Sequence, residues 1–293
     1  MLRRMRRALL LVNPSSRCGG DAKREAVALL QRHFRLVQPS EENPANFPEI
    51  IRRFAESVDL VILGGGDGTI RGGLRALKDA NCVLGILPLG TANNLARNLG
   101  IPARLEEACE VLVNGMMTTI DLGVVNERLF LNVAGMGLST EINSGVQPGL
   151  KRKWGVVGYG IAALKVLRRT RQFTAEIECD GIAHKMRALQ ITVCNGRHFG
   201  AGLTIHPDAR IDDERLDLCA FQVDHWWQPF LMAAALRSGR HLDLRGVQLL
   251  QGKAMTIRTK RRMWIDTDGE VLTQTPAVFS VLPNALRVIR KAG

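Results

Sequence analysis

Hydrophobic residues in the first 120 positions form short continuous runs that alternate with stretches of helical period. The runs cover residues 8–12, 59–63 and 83–87, and they are followed by Asn13-Pro14, Gly64 and Pro88, respectively. Continuous apolar runs of this length are typical of strands buried on both faces. Amphipathic helices are predicted at 21–32, 46–57, 70–77, 92–99 and 106–113. Strands alternating with helices indicate a parallel α/β domain.

The pattern changes after about residue 120, where short strand-like runs dominate. They cover residues 129–133, 175–179, 189–194, 216–221, 255–259, 278–282 and 286–289. Alternation of this kind suits an antiparallel sandwich or barrel. Two helical stretches, 158–168 and 228–237, interrupt it. We therefore predict two domains, residues 1–120 and 121–293.

The strongest local motif is Gly64-Gly-Gly-Asp-Gly-Thr69, between a predicted strand and a predicted helix. Glycines let phosphate oxygens approach backbone N–H groups, and the positive end of the following helix adds attraction. Thr69 can donate a hydroxyl hydrogen bond, and Asp67 beside a phosphate suits a Mg²⁺ ligand. A bare glycine run would rather favour a simple turn with Asp67 as a helix cap. The attached Asp-Gly-Thr favours the phosphate site.

A second loop, Pro88-Leu-Gly-Thr-Ala-Asn93, repeats this arrangement. Both loops follow strands of the predicted parallel sheet, so both leave carboxyl ends and can face one crevice. Neither loop matches the Walker A sequence or the dinucleotide fingerprint. Two Gly-Thr loops at one crevice are far more specific than either loop alone.

With Asn13-Pro14, these motifs resemble the diacylglycerol kinase catalytic family, particularly its soluble bacterial lipid kinases. Further matching segments follow in the family's order, at Ile120–Gly123, Asn132–Gly137, Asn195-Gly196 and Asp268–Glu270. The resemblance spans nearly the whole chain. It implies an ATP-binding α/β domain, a β-sandwich second domain and an active site in the cleft between them.

The resemblance also implies which residues bind the nucleotide. They are the members of the two loops and one loosely aligned residue where the family often has Thr: Gly64, Gly65, Gly66, Asp67, Gly68, Thr69, Gly90, Thr91 and, loosely, Ser40.

Metal and catalytic roles follow from the same resemblance. Asp67 and Asp121 would organise an active-site Mg²⁺, and Glu270 would be the general base. Asp213, with the carbonyl oxygens of Arg210 and Arg215, would hold a second, structural Mg²⁺. From the residues alone, Asp268-Gly269-Glu270 would read as a hairpin turn with solvated acids.

The chain departs from the family pattern at two positions. Asn94 stands where many members have Asp, which removes one carboxylate from the implied metal network. Glu214 stands where Gly is common in the structural-metal loop.

Charge and composition bear on partners and location. The net charge of +12 suits an anionic partner. Aromatic residues make up only 5% of the chain, which weakens a single-stranded nucleic-acid platform. No run of 18 apolar residues occurs, and the six cysteines lack C-x-x-C spacing. We expect a cytoplasmic enzyme that lies peripherally on an anionic membrane, with ATP and a lipid alcohol as substrates and a homodimer left open.

Two other functions stay open. One is another kinase with the same glycine loop, such as an NAD kinase; those typically carry an Asn-Glu pair for the ribose. Asn126-Glu127 is such a pair, although it falls in a predicted hairpin turn. The other is a nucleotide- or lipid-binding module without catalysis, which only Asn94 supports.

Overall fold

The computed structural model describes residues 6–16, 19–40, 43–145, 170–199, 203–204, 209–223, 228, 235 and 246–292. The predicted helix at 158–168 lies outside these residues. So does the predicted helix at 228–237, apart from residues 228 and 235. No helix within the described ranges has the length and apolar character needed to cross a bilayer.

A parallel sheet forms the first half of the fold. Its strands are β1 (Arg6–Val12), β2 (Phe34–Val37), β3 (Leu60–Gly65) and β4 (Val83–Pro88). They lie in the order β2-β1-β3-β4 and run parallel. Helices connect and follow them: α1 (Gly19–Leu30), α2 (Phe47–Phe54), α3 (Asp67–Asp79), α4 (Asn94–Asn98) and α5 (Leu105–Asn114). Strand β3 is buried throughout and β1 is buried from Ala8 to Val12, as expected for central strands of a parallel α/β sheet.

Helix α3 begins three residues before the predicted start. The apolar pattern begins at Ile70, but the first turn consists of Asp67, Gly68 and Thr69, which periodicity does not detect. The glycine loop is therefore shorter than the sequence suggested, since half of it is already helix.

The last strand of the chain joins the two halves of the fold. Strand β5 (Met116–Val125) continues into the hairpin strand β6 (Arg128–Phe130), and β5 pairs along β18 (Ala277–Arg290). Strand β18 also runs parallel to β4. The predicted strands 278–282 and 286–289 are one strand with an irregularity between them. One sheet therefore extends across residue 120, and the proposed domain limits stay a prediction.

Antiparallel strands complete this sheet and form a second one. The first sheet continues from β18 through β15 (Ala254–Thr259) to β8 (Phe173–Cys179) and β9 (Ile182–Ala188). The second has the order β14-β13-β10-β7-β16-β17. Its strands are β7 (Val133–Gly137), β10 (Gln190–Cys194), β13 (Leu216–Phe221), β14 (Val247–Gly252), β16 (Trp264–Thr267) and β17 (Glu270–Gln274). The short strands β11 (His198–Phe199) and β12 (Leu203–Thr204) pair separately, and α6 (Leu138–Gly145) follows β7.

The second hydrophobic core lies between these two sheets. Ile177, Ile257 and Phe279 from the first sheet share it with Ile191 and Leu218 from the second. Inward-facing residues of two packed sheets are the mark of a sandwich. The predicted fold is confirmed: a parallel α/β half joined to an antiparallel sandwich.

Candidate active site

The glycine loop between β3 and α3 is held in place by its own residues. The backbone N–H of Thr69 donates to the Gly66 carbonyl over 2.9 Å. Asn13, at the end of β1, donates from Nδ2 to the Thr69 hydroxyl over 3.0 Å. A Cβ on Gly65 would lie 2.4 Å from that hydroxyl, so only glycine fits there. Gly66 is the N-cap of α3 and has no side chain to cap it, which leaves this helix end suited to an anion.

Asn93 fixes the second loop in a left-handed conformation, with φ of 50°. Its Oδ1 accepts the Gly90 N–H, and its Nδ2 donates to the carbonyls of Pro88 and Gly90. A Cβ on Gly90 would lie 2.3 Å from the Gly66 Cα atom. The two glycine loops are therefore in direct contact, as expected for adjacent parallel strands. Thr91 is exposed at the same loop.

Asp67 belongs to α3 but caps the neighbouring helix α4. Its two carboxylate oxygens accept the backbone N–H groups of Asn94, over 2.9 Å, and of Leu95, over 3.0 Å. The N-cap of α4, Asn93, makes no capping bond with its own side chain. Asn132 Nδ2 lies 3.5 Å from the same carboxylate. Asp67 is therefore a helix cap, as the sequence allowed, but it caps α4 and not its own helix α3.

A second carboxylate, Asp268, lies close to Asp67. It stands in the β16–β17 turn and accepts the backbone N–H groups of Leu131, Asn132 and Val133, over 2.7, 2.9 and 3.2 Å. Burial raises the pKa of Asp268 to about 6; these three N–H groups oppose the rise, and the charge of Asp67 adds to it. The two carboxylates therefore lie close enough for the charge of Asp67 to act on Asp268.

Glu270 reaches the same region through an arginine of α3. Arg71 Nη1 donates to Glu270 Oε2 over 2.6 Å, and Arg71 Nη2 contacts Oε1. The Arg71 side chain is only 18% exposed, whereas that of Glu270 is 56% exposed. Arg71 lies one helical turn after Asp67, so both side chains lie on one face of α3. The structure thus brings Glu270 to the face of α3 that carries Asp67.

Asparagine side chains connect α4 to the β strands of the second half of the fold. Asn98 of α4 donates to Asn132 Oδ1 over 3.3 Å and accepts the His198 N–H over 3.0 Å. Asn195, in turn, donates its N–H to the Asn132 carbonyl and its Nδ2 to the Asp121 carbonyl. This network fixes Asp67, Asp268 and Asp121 relative to one another.

Asp121 also lies beside Asp213, so the two form an acidic pair. Asp121 is 2% exposed and accepts the backbone N–H groups of Glu214, over 2.6 Å, and Asn284, over 2.8 Å. Burial raises the pKa of Asp213, and the charge of Asp121 adds to the effect, although the Arg215 N–H opposes it. Two carboxylates beside a carbonyl-bearing turn are oxygen donors of the kind that Mg²⁺ takes.

The remaining predicted positions are less closely tied to the cleft. Ser40 is exposed, three residues beyond β2 at the outer edge of the parallel sheet. Arg210 and Arg215 are exposed residues of the turn that holds Asp213. Within the described ranges, no group of three His, Cys, Asp or Glu side chains is arranged to hold a metal.

The two departures from the family pattern have structural counterparts. Asn94 is 7% exposed, and its Oδ1 is a buried acceptor without a hydrogen-bond donor among the described residues. Glu214 has φ of 58°, the left-handed region that favours glycine, and this conformation directs its N–H to Asp121.

Sequence reasoning missed Arg71 and the central position of Asp268. Arg71 had a usable signal, since it stands four residues after Asp67 on a predicted helix. The position of Asp268 had none, because its partners lie more than 130 residues away in the sequence.

Comparisons with known proteins agree with this geometry. Residues 7–125 match the diacylglycerol kinase catalytic domain, and residues 132–290 match the YegS C-terminal NAD kinase beta sandwich-like domain. The chain is 33% identical to lipid kinase YegS of Escherichia coli K12 over 276 residues, which cover 90% of this chain and 89% of that protein. It is 30% identical to diacylglycerol kinase of Bacillus subtilis over 234 residues, 79% of this chain and 77% of the relative.

The chain belongs to the diacylglycerol kinase family. Two Bacillus anthracis proteins with crystal structures share its fold. One superposes with a TM-score of 0.82 at 26% identity and covers 99% of this chain and 97% of its own. The other, of a diacylglycerol kinase, has a TM-score of 0.76 at 23% identity and covers 99% of this chain and 98% of its own.

Membership of this family confirms the resemblance drawn from the motifs and implies ATP as the phosphoryl donor. The names of the relatives favour a lipid kinase and do not favour the NAD kinase-like alternative. Asn126-Glu127 forms the turn between β5 and β6, with both residues at positive φ, as the sequence indicated.

Proposed function

We propose that this lipid kinase transfers the γ-phosphoryl group of ATP to the hydroxyl of diacylglycerol or a closely related lipid. The observation that carries the proposal is the contact between Arg71 and Glu270. It joins the helix that begins at Asp67 to the hairpin of the second sheet. A triphosphate at the glycine loops and an acid beside the acceptor hydroxyl would then meet in one cleft.

The nucleotide would be bound by the two touching loops. Gly65, Gly66 and Gly90 bring backbone close to backbone, and the uncapped start of α3 offers N–H groups and a positive dipole end to phosphate. The residue Gly68 has open space where a Cβ would lie, which leaves room for a ligand. Ser40 and Thr91 complete the proposed set of nucleotide contacts.

Two groups of oxygen donors fit Mg²⁺. Asp67 and Asp121 would hold the ion at the phosphates, and Asp213 with the carbonyls of Arg210 and Arg215 would hold the structural one. Burial raises the pKa of Asp213 and the charge of Asp121 adds to the rise, so a cation beside this pair would stabilise both carboxylates. When bound at the phosphates, Mg²⁺ would neutralise charge on the transferring group.

Glu270 would act as the general base. Arg71 holds its carboxylate by two contacts, so the base is fixed in orientation while it keeps lone pairs for the lipid hydroxyl. As the hydroxyl oxygen bonds to the γ-phosphorus, the proton passes to Glu270 and the bond to ADP breaks. Positioning matters more than base strength, because the transition state of phosphoryl transfer is loose.

A lipid acceptor is supported by the relatives' names and by the charge of the chain. The net charge of +12 suits an enzyme that works at an anionic membrane surface, where its substrate resides. Peripheral binding of this kind needs no membrane-spanning segment.

The test is transfer of labelled phosphate from ATP, with Mg²⁺, to a panel of lipid alcohols and to NAD. We expect label on diacylglycerol or a close analogue, and a loss of about 10²- to 10⁴-fold in Glu270→Gln. The fold should be unaffected, since Glu270 is exposed. Glu127→Gln, the same change in the β5–β6 turn, is the matched control and should retain full activity.

Two results would contradict the proposal. Labelled phosphate on NAD, together with loss of this activity in Glu127→Gln, would favour an NAD kinase-like function. Nucleotide binding without transfer to any acceptor would favour a binding module.

A further inference from the structure

A basic cavity lies outside the proposed catalytic site. It has a volume of about 540 Å³, within the usual range for small-ligand sites. It is lined by the C-terminal end of α4, the segment around His198, the turn before β13 and the end of β18. The residues of the two glycine loops and Glu270 do not line it.

The charge of this cavity is strongly unbalanced. Its described lining includes five basic side chains and one carboxylate, a formal charge of +4 with histidine neutral: Arg97, Arg197, Arg210, Arg290, Lys291 and Asp212. Asp212 pairs with Arg210 over 3.0 Å and with Arg290 over 3.5 Å. No further acidic side chain within the described lining compensates the charges of Arg197 and Lys291, so the cavity contains cations that attract an anion.

His198 is exposed to the positive charge of the same arginines. The pKa of His198 is lowered by burial and, further, by the charges of Arg197 and Arg97. Its Nδ1 atom is buried without a hydrogen-bond partner among the described residues. An anion in the cavity would oppose this field.

We propose that this cavity binds a phosphate-bearing anion. Arginine forks match the geometry of phosphate, and a doubly charged group suits a site with several unbalanced cations better than a carboxylate does. No Phe, Tyr or Trp ring lines the described part of the cavity, which argues against a stacked nucleic-acid base. The ligand is therefore a small phosphate group, either free or on a lipid headgroup.

The site adjoins the catalytic network at Asn98 but does not include the glycine loops or Glu270. The N-terminal end of α4 is held by Asp67, whereas the cavity lies at the C-terminal end of the helix. Asn98 lines the cavity and donates to Asn132, the neighbour of Asp67. The proposal does not depend on the kinase reaction, and binding can be measured without turnover.

The decisive variant is Arg197→Gln with Lys291→Gln. Its matched control is Arg187→Gln with Lys185→Gln, which removes the same charges from exposed positions on β9. Binding of inorganic phosphate is measured by calorimetry at constant ionic strength, with the glycine loops saturated by a non-hydrolysable ATP analogue. We expect phosphate to bind the unaltered protein and the control alike, and the cavity variant at least tenfold more weakly, which corresponds to ~1.4 kcal/mol.

A charge-keeping variant, Arg197→Lys with Lys291→Arg, should recover binding and shows that the loss is not one of folding. Equal phosphate affinity in all variants would overturn the proposal. The proposal would also be overturned if the cavity variant lost affinity for the ATP analogue as much as for phosphate, because the cavity would then be part of the nucleotide site. If the ATP analogue binds none of the proteins, the proposed function fails, while the phosphate comparison still tests the cavity.

The source of the phosphate is resolved with vesicles. Phosphatidylcholine vesicles with and without phosphatidic acid are sedimented with the unaltered protein, the cavity variant and the control. Cosedimentation that needs both phosphatidic acid and the cavity residues identifies a lipid headgroup. Binding of free phosphate without this dependence identifies a soluble phosphate. Binding of neither contradicts the proposal.

Discussion

Two Asp-Gly turns in this protein have the same local structure and very different surroundings. Asp180-Gly181 joins β8 to β9, and Asp268-Gly269 joins β16 to β17. The φ angles are 47° and 84° in the first turn and 48° and 89° in the second. Both aspartates accept backbone N–H groups from a distant segment. Asp180, however, is exposed at a sheet edge, whereas Asp268 lies beside Asp67 in the cleft.

This difference shows which property belongs to a motif and which to its place in the fold. An Asp-Gly pair between strands specifies a tight hairpin wherever it occurs. It does not specify an active site. Proximity to Asp67, Asn132 and Arg71 gives the second turn its chemistry, and those neighbours come from other parts of the chain.

The largest expected effect comes from removing Asp67, the neighbour that distinguishes the two turns. Asp67→Ala should lower kinase activity by about 10²- to 10³-fold, because a charged group at the phosphates is lost. It should also lower the free energy of unfolding by about 0.5–2 kcal/mol, since α4 loses its cap. Lipid phosphorylation and urea unfolding check the two effects. Asp79→Ala, at the other end of α3, is the control, and equal losses in both variants would contradict the role of Asp67.

The next effect is a pH dependence that only one turn should have. The folded protein holds the Asp268 proton more tightly than the unfolded chain, where Asp titrates near 3.8. The stabilising contribution of this group is therefore present below about pH 4 and is lost as pH rises through 6. The gap of about two pKa units corresponds to roughly 3 kcal/mol.

Urea unfolding at several pH values between 4 and 7, without Mg²⁺, measures this dependence. In Asp268→Asn the fall in unfolding free energy with rising pH should be smaller than in the unaltered protein. Asp180→Asn provides the comparison and should leave the slope as it is. A slope that Asp268→Asn leaves unchanged would show that another acid is responsible.

The smallest effect should be the same in both turns. A Cβ on Gly269 or Gly181 meets no atom within 4 Å, but both residues have positive φ. Gly269→Ala and Gly181→Ala should therefore each cost about 1–2 kcal/mol of backbone strain. Thermal unfolding of the two variants measures it. If the losses of unfolding free energy in the two variants differ by more than about 1–2 kcal/mol, the two turns are not locally equivalent.

Much of the fold could be predicted from the sequence, because its signals are local. The buried strands β3 and β4 end at Gly65 and Pro88, β1 ends just before Asn13-Pro14, and the helices between them show their period. Gly64–Thr69 and Pro88–Asn93 were placed at one crevice because parallel strands carry their loops at the same edge. The limits of α3 and the continuity of β18 were missed, since a glycine-rich first turn has no apolar period and an irregular strand looks like two.

By itself, the sequence determined the strand and helix types, the two phosphate-suited loops, the tight hairpins and the family. Backbone preferences and apolar spacing act over a few residues, so they can be read along the chain. Only the tertiary structure decided that Arg71 holds Glu270, that Asp67 caps α4 and that Asp268 titrates beside it. It also decided that five basic side chains of the described residues line one cavity. Those facts depend on contacts between residues far apart in sequence, where burial and neighbouring charge act through space.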